Sequence, residues 1–279
     1  PPSSGGIAVA QTLKLLEPFD LGRGPEAALN PRAMHLIAEA EKLAFADRDY
    51  YIGDPDFVQV PLTLLDSDYL AARSQLINPN AAMPRPAPGT PPGVQRQAFG
   101  VDATLESVGT SHISVVDAAG NAVSMTTTIE SAFGSRVLAA GFLLNNELTD
   151  FSFLPEDANG RPLANAVAPG KRPRSSMAPT IVFDEAGRVK AVLGSPGGSR
   201  IILYVVKALI ALIDWELDAQ AAAALVNFGS RGGAFEIEYD PATDWRALIR
   251  PWLSTPPLWQ AMRVKPFGHE IAPDLLTSG

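Results

Sequence analysis

Residues 108–117 read "VGTSHISVVD". Gly109, Thr110, Ser111 and His112 stand directly before a run that alternates like a β-strand. A hydroxyl at a strand's mouth can serve as a turn, a buried hydrogen bond or a nucleophile. Further hydroxyls follow at Ser114, Ser124, Thr126, Thr127, Thr128 and Ser131. Alternate strand residues share a face, so Thr126 and Thr128 point the same way, and Glu130 continues that line if the strand persists. The plain alternative is a solvated sheet face rich in threonine, a good strand former.

Three other stretches carry groups that can do chemistry. "GSPGGS" at 194–199 places Gly197 and Gly198 before a helical pattern. Their N–H groups at a helix's positive end could hold a phosphate or the oxyanion of a tetrahedral intermediate. The loop lacks the Gly-Lys-Ser/Thr ending of a phosphate loop, and a tight strand-to-helix turn explains it equally well. "NNELTDFS" at 145–152 sets Glu147 and Asp150 three apart, as acid/base groups, metal ligands or an ammonium clamp. "GKRPRSSMAPT" sets Ser175 and Ser176 behind a cationic, proline-bounded stretch that could equally be a surface loop. The histidines at 35, 112 and 269 have no metal-ligand spacing and build no Ser/His/Asp triad, so neither a metal nor a cofactor is expected.

The elements that must position these groups fall into two halves. Up to about Ser107 the chain reads as helix and loop. A helix over 4–17 stops before Pro18. Asn30-Pro31 is a cap followed by proline at the first helical position, and Ala33, Leu36, Ile37, Ala40, Leu43 and Ala44 form an apolar stripe beyond it. "LDSDYLAARSQL" is a shorter helix. A proline- and glycine-rich stretch, about residues 80–100 at its centre, reads as a solvated, mobile linker. The second half predicts a hairpin turning at Ala119-Gly120-Asn121 and another turning at 185–187. A glycine loop feeding a helix and a further alanine-rich helix complete a layered α+β architecture.

Composition bounds the rest. With 279 residues, 46% of them hydrophobic, the chain can bury a sizeable core. A net charge of −8 with no basic run argues against nucleic acid and anionic membranes. No apolar stretch approaches a membrane span. The absence of cysteine excludes disulfides and thiol nucleophiles and fits any compartment. "PPSSGGIAVAQ" reads like the interior of a longer protein, so a true N-terminus is expected upstream.

Each motif is weak alone, but their order is specific. "GTSHISVVDAAGNAVSMTTTIESAFGS", "LLNNELTDFS", "PGKRPRSSMAPTIV" and "GSPGGSRII" together resemble the γ-glutamyltranspeptidase family, as do "PPSSGGIAVAQTLKLLEPFDLG" and "AMHLIAEAEKLAFADRDYYIGDPDF" upstream. The resemblance covers essentially residues 1–230, and the last part, with "GHEI" at 268–271, looks like the family's small-subunit tail, cut short. It implies a four-layer αββα sandwich of the N-terminal-nucleophile hydrolase type. The precursor cuts itself between Gly109 and Thr110, so that 1–109 end a large subunit and 110–279 begin a small one, the two staying paired. Thr110 then carries the nucleophilic Oγ and its own α-amine as base. The resemblance assigns Thr128 to orienting that nucleophile, and Gly197 and Gly198 to the oxyanion hole. It assigns Ser175 and Ser176 to the substrate α-carboxylate, and Glu147 and Asp150 to its α-ammonium. Glu130 stands where transpeptidases typically have asparagine.

The reaction so implied is transfer of a γ-glutamyl group from glutathione or a related amide to water or an amine. The implied compartment is periplasmic or extracellular. Four departures stand out. Ser111 replaces a second threonine, and Glu130 adds a charge. The segment 151–174 is short and lacks tyrosine, which implies an altered lid. The family's N-terminal portion, which carries an arginine for the α-carboxylate, is not in this sequence. They keep open a different amide hydrolase on the same scaffold (cephalosporin-acylase-like or acting on small amides) and a non-enzymatic binding remnant. Nucleotide binding by "GSPGGS" is the remotest reading.

Self-processing is directly testable. In the complete protein, N-terminal sequencing of the small piece should begin at Thr110. Thr110→Ala should leave the chain whole on a denaturing gel, and Thr110→Ser should still be cut, more slowly.

Overall fold

The computed structural model describes residues 4–94, 99–104 and 109–238. The "GHEI" stretch, His269 and the Ser107 boundary lie outside the described residues. Helix α1 (Gly5–Leu16) ends ahead of Pro18, as the periodicity predicts. Helix α2 (Pro31–Tyr51) starts with proline in its first turn, and Asn30 Oδ1 accepts from Arg32 N at 2.9 Å. Helix α3 (Ser67–Ser74) follows. The expected one-sided stripe on α2 is too narrow. Every residue from Ala33 to Arg48 is buried, charged ones included.

Some of those charges have partners, while Glu41 Oε1 has no hydrogen-bond partner among the described residues. Lys42 Nζ lies 2.6 Å from Glu39 Oε1, and Glu41 Oε2 accepts from Ser230 N at 2.8 Å. Of the described residues in 80–100 only Pro91 and Gly100 are buried, yet several carbonyls of the proline-rich stretch are bonded. His35 Nε2 donates to Asn78 O at 2.8 Å, and Lys42 Nζ to Met83 O at 3.1 Å. Arg73 bonds Ala87 O, and Thr63 Oγ1 donates to Pro92 O at 2.9 Å. Proline removes donors but leaves every carbonyl in place. Here those carbonyls meet side-chain donors from the helices and from Thr63.

The second half forms antiparallel hairpins. Strands β1 (Ser111–Val116) and β2 (Ala122–Thr127) pair with Ile113 opposite Met125 and His112 opposite Thr126. Their turn is organised by Asp117, whose Oδ1 accepts from the N–H groups of Ala119 and Asn121 at 2.9 Å each. A short pair, β3 (Leu138–Ala139) and β4 (Phe142–Leu143), comes next. Strands β5 (Thr180–Phe183) and β6 (Val189–Leu193) repeat the same turn device with Asp184, which accepts from Ala186 and Arg188. Helices α4 (Ile201–Ile213) and α5 (Ala219–Ala224, capped by Asp218) and a last pair, β7 (Phe228–Gly229) and β8 (Glu236–Ile237), complete the order.

One face of the first hairpin is covered by the β5–β6 hairpin. Ser124 Oγ donates to Leu193 O at 3.0 Å, and the His112 ring lies directly on Gly194. The opposite face, with Ile113, Val115, Val123 and Met125, is about half exposed. Among the described residues the strands form four two-stranded sheets. No helix there is long and apolar enough to cross a membrane.

Two compact units emerge, and both draw on both halves of the sequence. One comprises the described residues within 1–10, 47–66 and 90–205, and the other those within 11–46, 67–89 and 206–279. The second is centred on Trp215, fully buried, with Nε1 donating to Leu21 O at 3.1 Å. All candidate site residues lie in the first.

At the start of α1, Gly5 packs on the serine segment so closely that a β-carbon would stand 2.5 Å from the carbonyl oxygens of both Ser176 and Met177. Gly5→Ala should therefore cost about 1–3 kcal/mol, as overpacking does. Gly233→Ala, where nothing lies within 4 Å, should leave the denaturant midpoint nearly unchanged.

Candidate active site

The nucleophile candidate sits where β1 begins. Thr110 Oγ1 lies against the carbonyl oxygen of Gly109, and Thr128 Oγ1 donates to that same oxygen at 2.8 Å. Thr128 is thus placed on the Gly109–Thr110 peptide rather than on Thr110 Oγ1, which differs from the role the resemblance implies. The chain is continuous here, so the α-amine of Thr110 is still an amide. Thr128 Oγ1 also accepts from Glu130 N at 2.8 Å, so both its donor and an acceptor position are engaged. Gly109 is packed so tightly on Glu130 O that no side chain fits.

Glu130 does not reach the site along an extended strand. Strand β2 ends at Thr127, and Glu130 takes a left-handed backbone with φ 72°. The turn buries its side chain to 4% exposure. Glu147 and Asp150 bracket a 3₁₀ turn over Glu147–Asp150. Burial, then the charge of Glu130, pushes the Glu147 carboxyl above its ordinary range, while a hydrogen bond with Asp150 opposes the shift. Glu147 Oε1 is buried with no hydrogen-bond partner among the described residues. Asn146 brings these carboxylates together. Its Oδ1 accepts from Ser131 N at 2.9 Å, and its own N–H donates to Ile129 O at 3.2 Å.

The serine pair lies on a separate, donor-rich wall. Ser176 is 4% exposed, and its Oγ accepts from Arg48 at 2.5 Å. Ser175 O accepts from Ser4 N and Ser4 Oγ at 2.8 and 2.7 Å, and Ser175 Oγ accepts from Met177 N at 3.2 Å. Asn165 joins this wall to the acidic turn. Its Nδ2 donates to Asp150 O at 2.7 Å, and its Oδ1 accepts from Arg174 N at 2.9 Å.

Gly197 and Gly198 follow β6 at the entry to α4, with φ 136° and 56° that favour glycine. As the first amides of a helix they have no intrahelical acceptor. Their link to the nucleophile runs through the sheets, because His112, two residues past Thr110, rests on Gly194, three before Gly197. Burial lowers the His112 pKa and favours the neutral ring. Its nitrogens meet Thr126 Oγ1 at 2.9 Å and Ser114 Oγ at 3.0 Å. The unit thus holds a hydroxyl against a peptide carbonyl, a cluster of carboxylates and a serine pair bonded to Arg48 and Ser4.

Sequence reasoning missed Ser4, Arg48, Asn146, Asn165 and Arg174. For Arg48 a signal existed, since it continues the Ala40, Ala44 spacing of the buried stripe and is therefore a charge at a core position. The two asparagines carry no such signal.

A family model described as Gamma-glutamyltranspeptidase matches residues 1–249. The chain belongs to the γ-glutamyltranspeptidase family. It is 43% identical over 235 residues to the glutathione hydrolase proenzyme of Escherichia coli, covering 82% of this chain and 38% of that protein. It is also 38% identical to the acylase ACY 1 proenzyme of Pseudomonas sp. strain SE83, covering 85% of this chain and 39% of that protein. The chain thus spans about two-fifths of these relatives' length. A crystal structure of cephalosporin acylase from Bacillus halodurans superposes with a TM-score of 0.70, covering 95% of this chain and 43% of that one, at 22% identity. That likeness bears on fold, an α+β fold of the N-terminal-nucleophile type.

The raised Glu147 carboxyl has a stability consequence in this γ-glutamyltranspeptidase-family chain. A carboxyl whose folded pKa lies above its unfolded value favours the fold at acid pH, and loses that contribution as pH rises through the folded value. Glu147→Gln should therefore melt higher than wild type at pH 7–8. The gap should close as pH falls below about 4.3, the ordinary glutamate pKa.

Proposed function

We propose that this chain is part of a γ-glutamyl acyltransferase or hydrolase that activates itself by cutting at Gly109-Thr110. The single observation that supports it most is the Gly109 carbonyl, which receives Thr128 Oγ1 while Thr110 Oγ1 lies beside it. The donor polarises the carbonyl, and the neighbouring hydroxyl is the group that adds to it. Thr110 Oγ bonds to the Gly109 carbon and its proton passes to the Thr110 nitrogen. The C–N bond breaks and an ester remains, which water hydrolyses to a Gly109 carboxylate and a free Thr110 amine. On this reading 1–109 and 110–279 belong to paired large and small subunits, and the complete fold is the four-layer αββα sandwich. The proenzyme names of the relatives are consistent with such a precursor.

In the processed enzyme the Thr110 amine takes the Oγ proton as Oγ attacks the γ-carbonyl of the donor. The N–H groups of Gly197 and Gly198 hold the oxyanion. Protonation lets the amine leave, and water or a second amine then takes the acyl group from Thr110. Ser175 and Ser176 receive the α-carboxylate, and Glu130, Glu147 and Asp150 the α-ammonium. Glutathione is the donor that the E. coli relative's name supports. The likeness to acylase ACY 1 keeps one second reading, an amide hydrolase whose substrate lacks the α-amine.

The two readings diverge at Glu130. Glu130→Gln should lower kcat/KM for γ-glutamyl-anilide roughly ten- to a hundredfold, the worth of one charged hydrogen bond. It should barely affect glutaryl-anilide, which lacks the amine. Equal effects on both would remove the ammonium role and favour the acylase reading.

A further inference from the structure

We infer that Arg48 is a positioning residue for the substrate carboxylate, acting through Ser176. The inference rests on the reading of Ser175 and Ser176 as the carboxylate-holding pair. Arg48 lies near the C-terminal end of α2, is 2% exposed, and has its guanidinium nitrogens bonded to protein groups. Its three nitrogens go to three different places. One Nη donates to Ser176 Oγ at 2.5 Å, Nε donates to Ser4 Oγ at 2.9 Å, and the other Nη donates to Asp49 Oδ1 at 2.9 Å. Ser4 passes the contact on, since its Oγ donates to Ser175 O at 2.7 Å. The backbone carbonyl of Arg48 is held in turn by Arg174 Nη at 3.5 Å.

The direction of these bonds carries the inference. A guanidinium has donors only. Ser176 Oγ therefore offers Arg48 a lone pair, and the hydroxyl proton is directed away from Arg48. A serine so held acts as a donor, the polarity an anionic ligand needs. The chain Arg48 Nε–H to Ser4 Oγ, then Ser4 O–H to Ser175 O, fixes the neighbouring residue's backbone by the same logic. Net charge does not explain the arrangement, because Arg48 and Arg174 are matched by Asp49 and Asp102. Arg48 works through the orientation of one hydroxyl and the place of one loop. Lysine cannot replace it, because a single ammonium does not span three partners in a fork.

The test is kinetic and uses the complete, processed protein, with cleavage at 109/110 as the check on folding. Two donors are compared, γ-glutamyl-anilide and 4-aminobutyryl-anilide, which lacks only the α-carboxylate. Arg48→Lys should raise KM for γ-glutamyl-anilide roughly tenfold or more, with kcat within about threefold. KM for 4-aminobutyryl-anilide should move less than about threefold. Ser4→Ala should shift KM the same way by a smaller factor, and it carries the test if Arg48→Lys is not recovered folded. In a Ser176→Ala background Arg48→Lys should add no further rise.

Equal KM changes on the two donors would overturn the inference, as would a rise from Arg48→Lys that persists without Ser176. Unchanged KM in both Arg48→Lys and Ser4→Ala, while Ser176→Ala alone raises it, would sink the inference and leave the serine reading standing. If Ser176→Ala leaves KM for γ-glutamyl-anilide untouched, the serine reading itself fails and the role of Arg48 falls with it.

Discussion

Two buried arginines organise the site-bearing unit. Arg48 and Arg174 each have side chains 2% exposed, and a buried ion costs several kcal/mol unless it is well paired. Their partners come from four separate stretches of chain, and a fifth, at Ser152, backs Asp102. Asp49 sits beside Arg48, and Asp102 Oδ2 lies 3.1 Å from Arg174. Ser4, Ser176 and Ser152 supply hydroxyls, the last donating to Asp102 Oδ2 at 2.6 Å. Burial alone would push the Asp102 carboxyl up, but Arg174 and the hydroxyls of Ser152 and Thr104 outweigh it and hold it below the usual range. Satisfying these charges leaves the start of α1, the end of α2 and the serine segment one mutual arrangement. Apolar packing alone is far less particular.

The two walls of the candidate site are built by opposite means. The acidic wall crowds Glu130 and Glu147 near Asp150 and leaves a buried carboxylate oxygen without a hydrogen-bond partner among the described residues. Burial and crowding of this kind disfavour the charged form, and the Glu147 carboxyl is raised accordingly. On the serine wall the positions are set by bonds from Arg48 to Ser176 Oγ and from Ser4 to the Ser175 carbonyl.

Local physics was legible in the sequence wherever partners are close along the chain. The end of α1 before Pro18, the Asn30-Pro31 start of α2 and both hairpin turns follow from periodicity and turn chemistry. The resemblance singled out Thr110, Thr128, the acidic pair, the serines and the glycines as candidates, and the structure gives their surroundings. Their joining could not. Asn146 and Asn165 look like ordinary loop residues, and only tertiary contact makes them staples. Arg48 meets Ser176 across 128 residues of sequence. The burial of the charged residues of α2 escaped the apolar stripe for the same reason, since composition shows polar groups but not the partners they meet.

The left-handed backbone at Glu130 has an energetic consequence. Among non-glycine residues, asparagine and aspartate tolerate that region best, and a longer side chain there is held against a conformational preference. The resemblance places asparagine at this position in typical transpeptidases. An exchange between the two residues therefore trades backbone ease against negative charge in a single step, with the hydrogen bond from residue 130 N to Thr128 available to either. Glu130 therefore carries its negative charge at a conformational cost that asparagine would largely avoid.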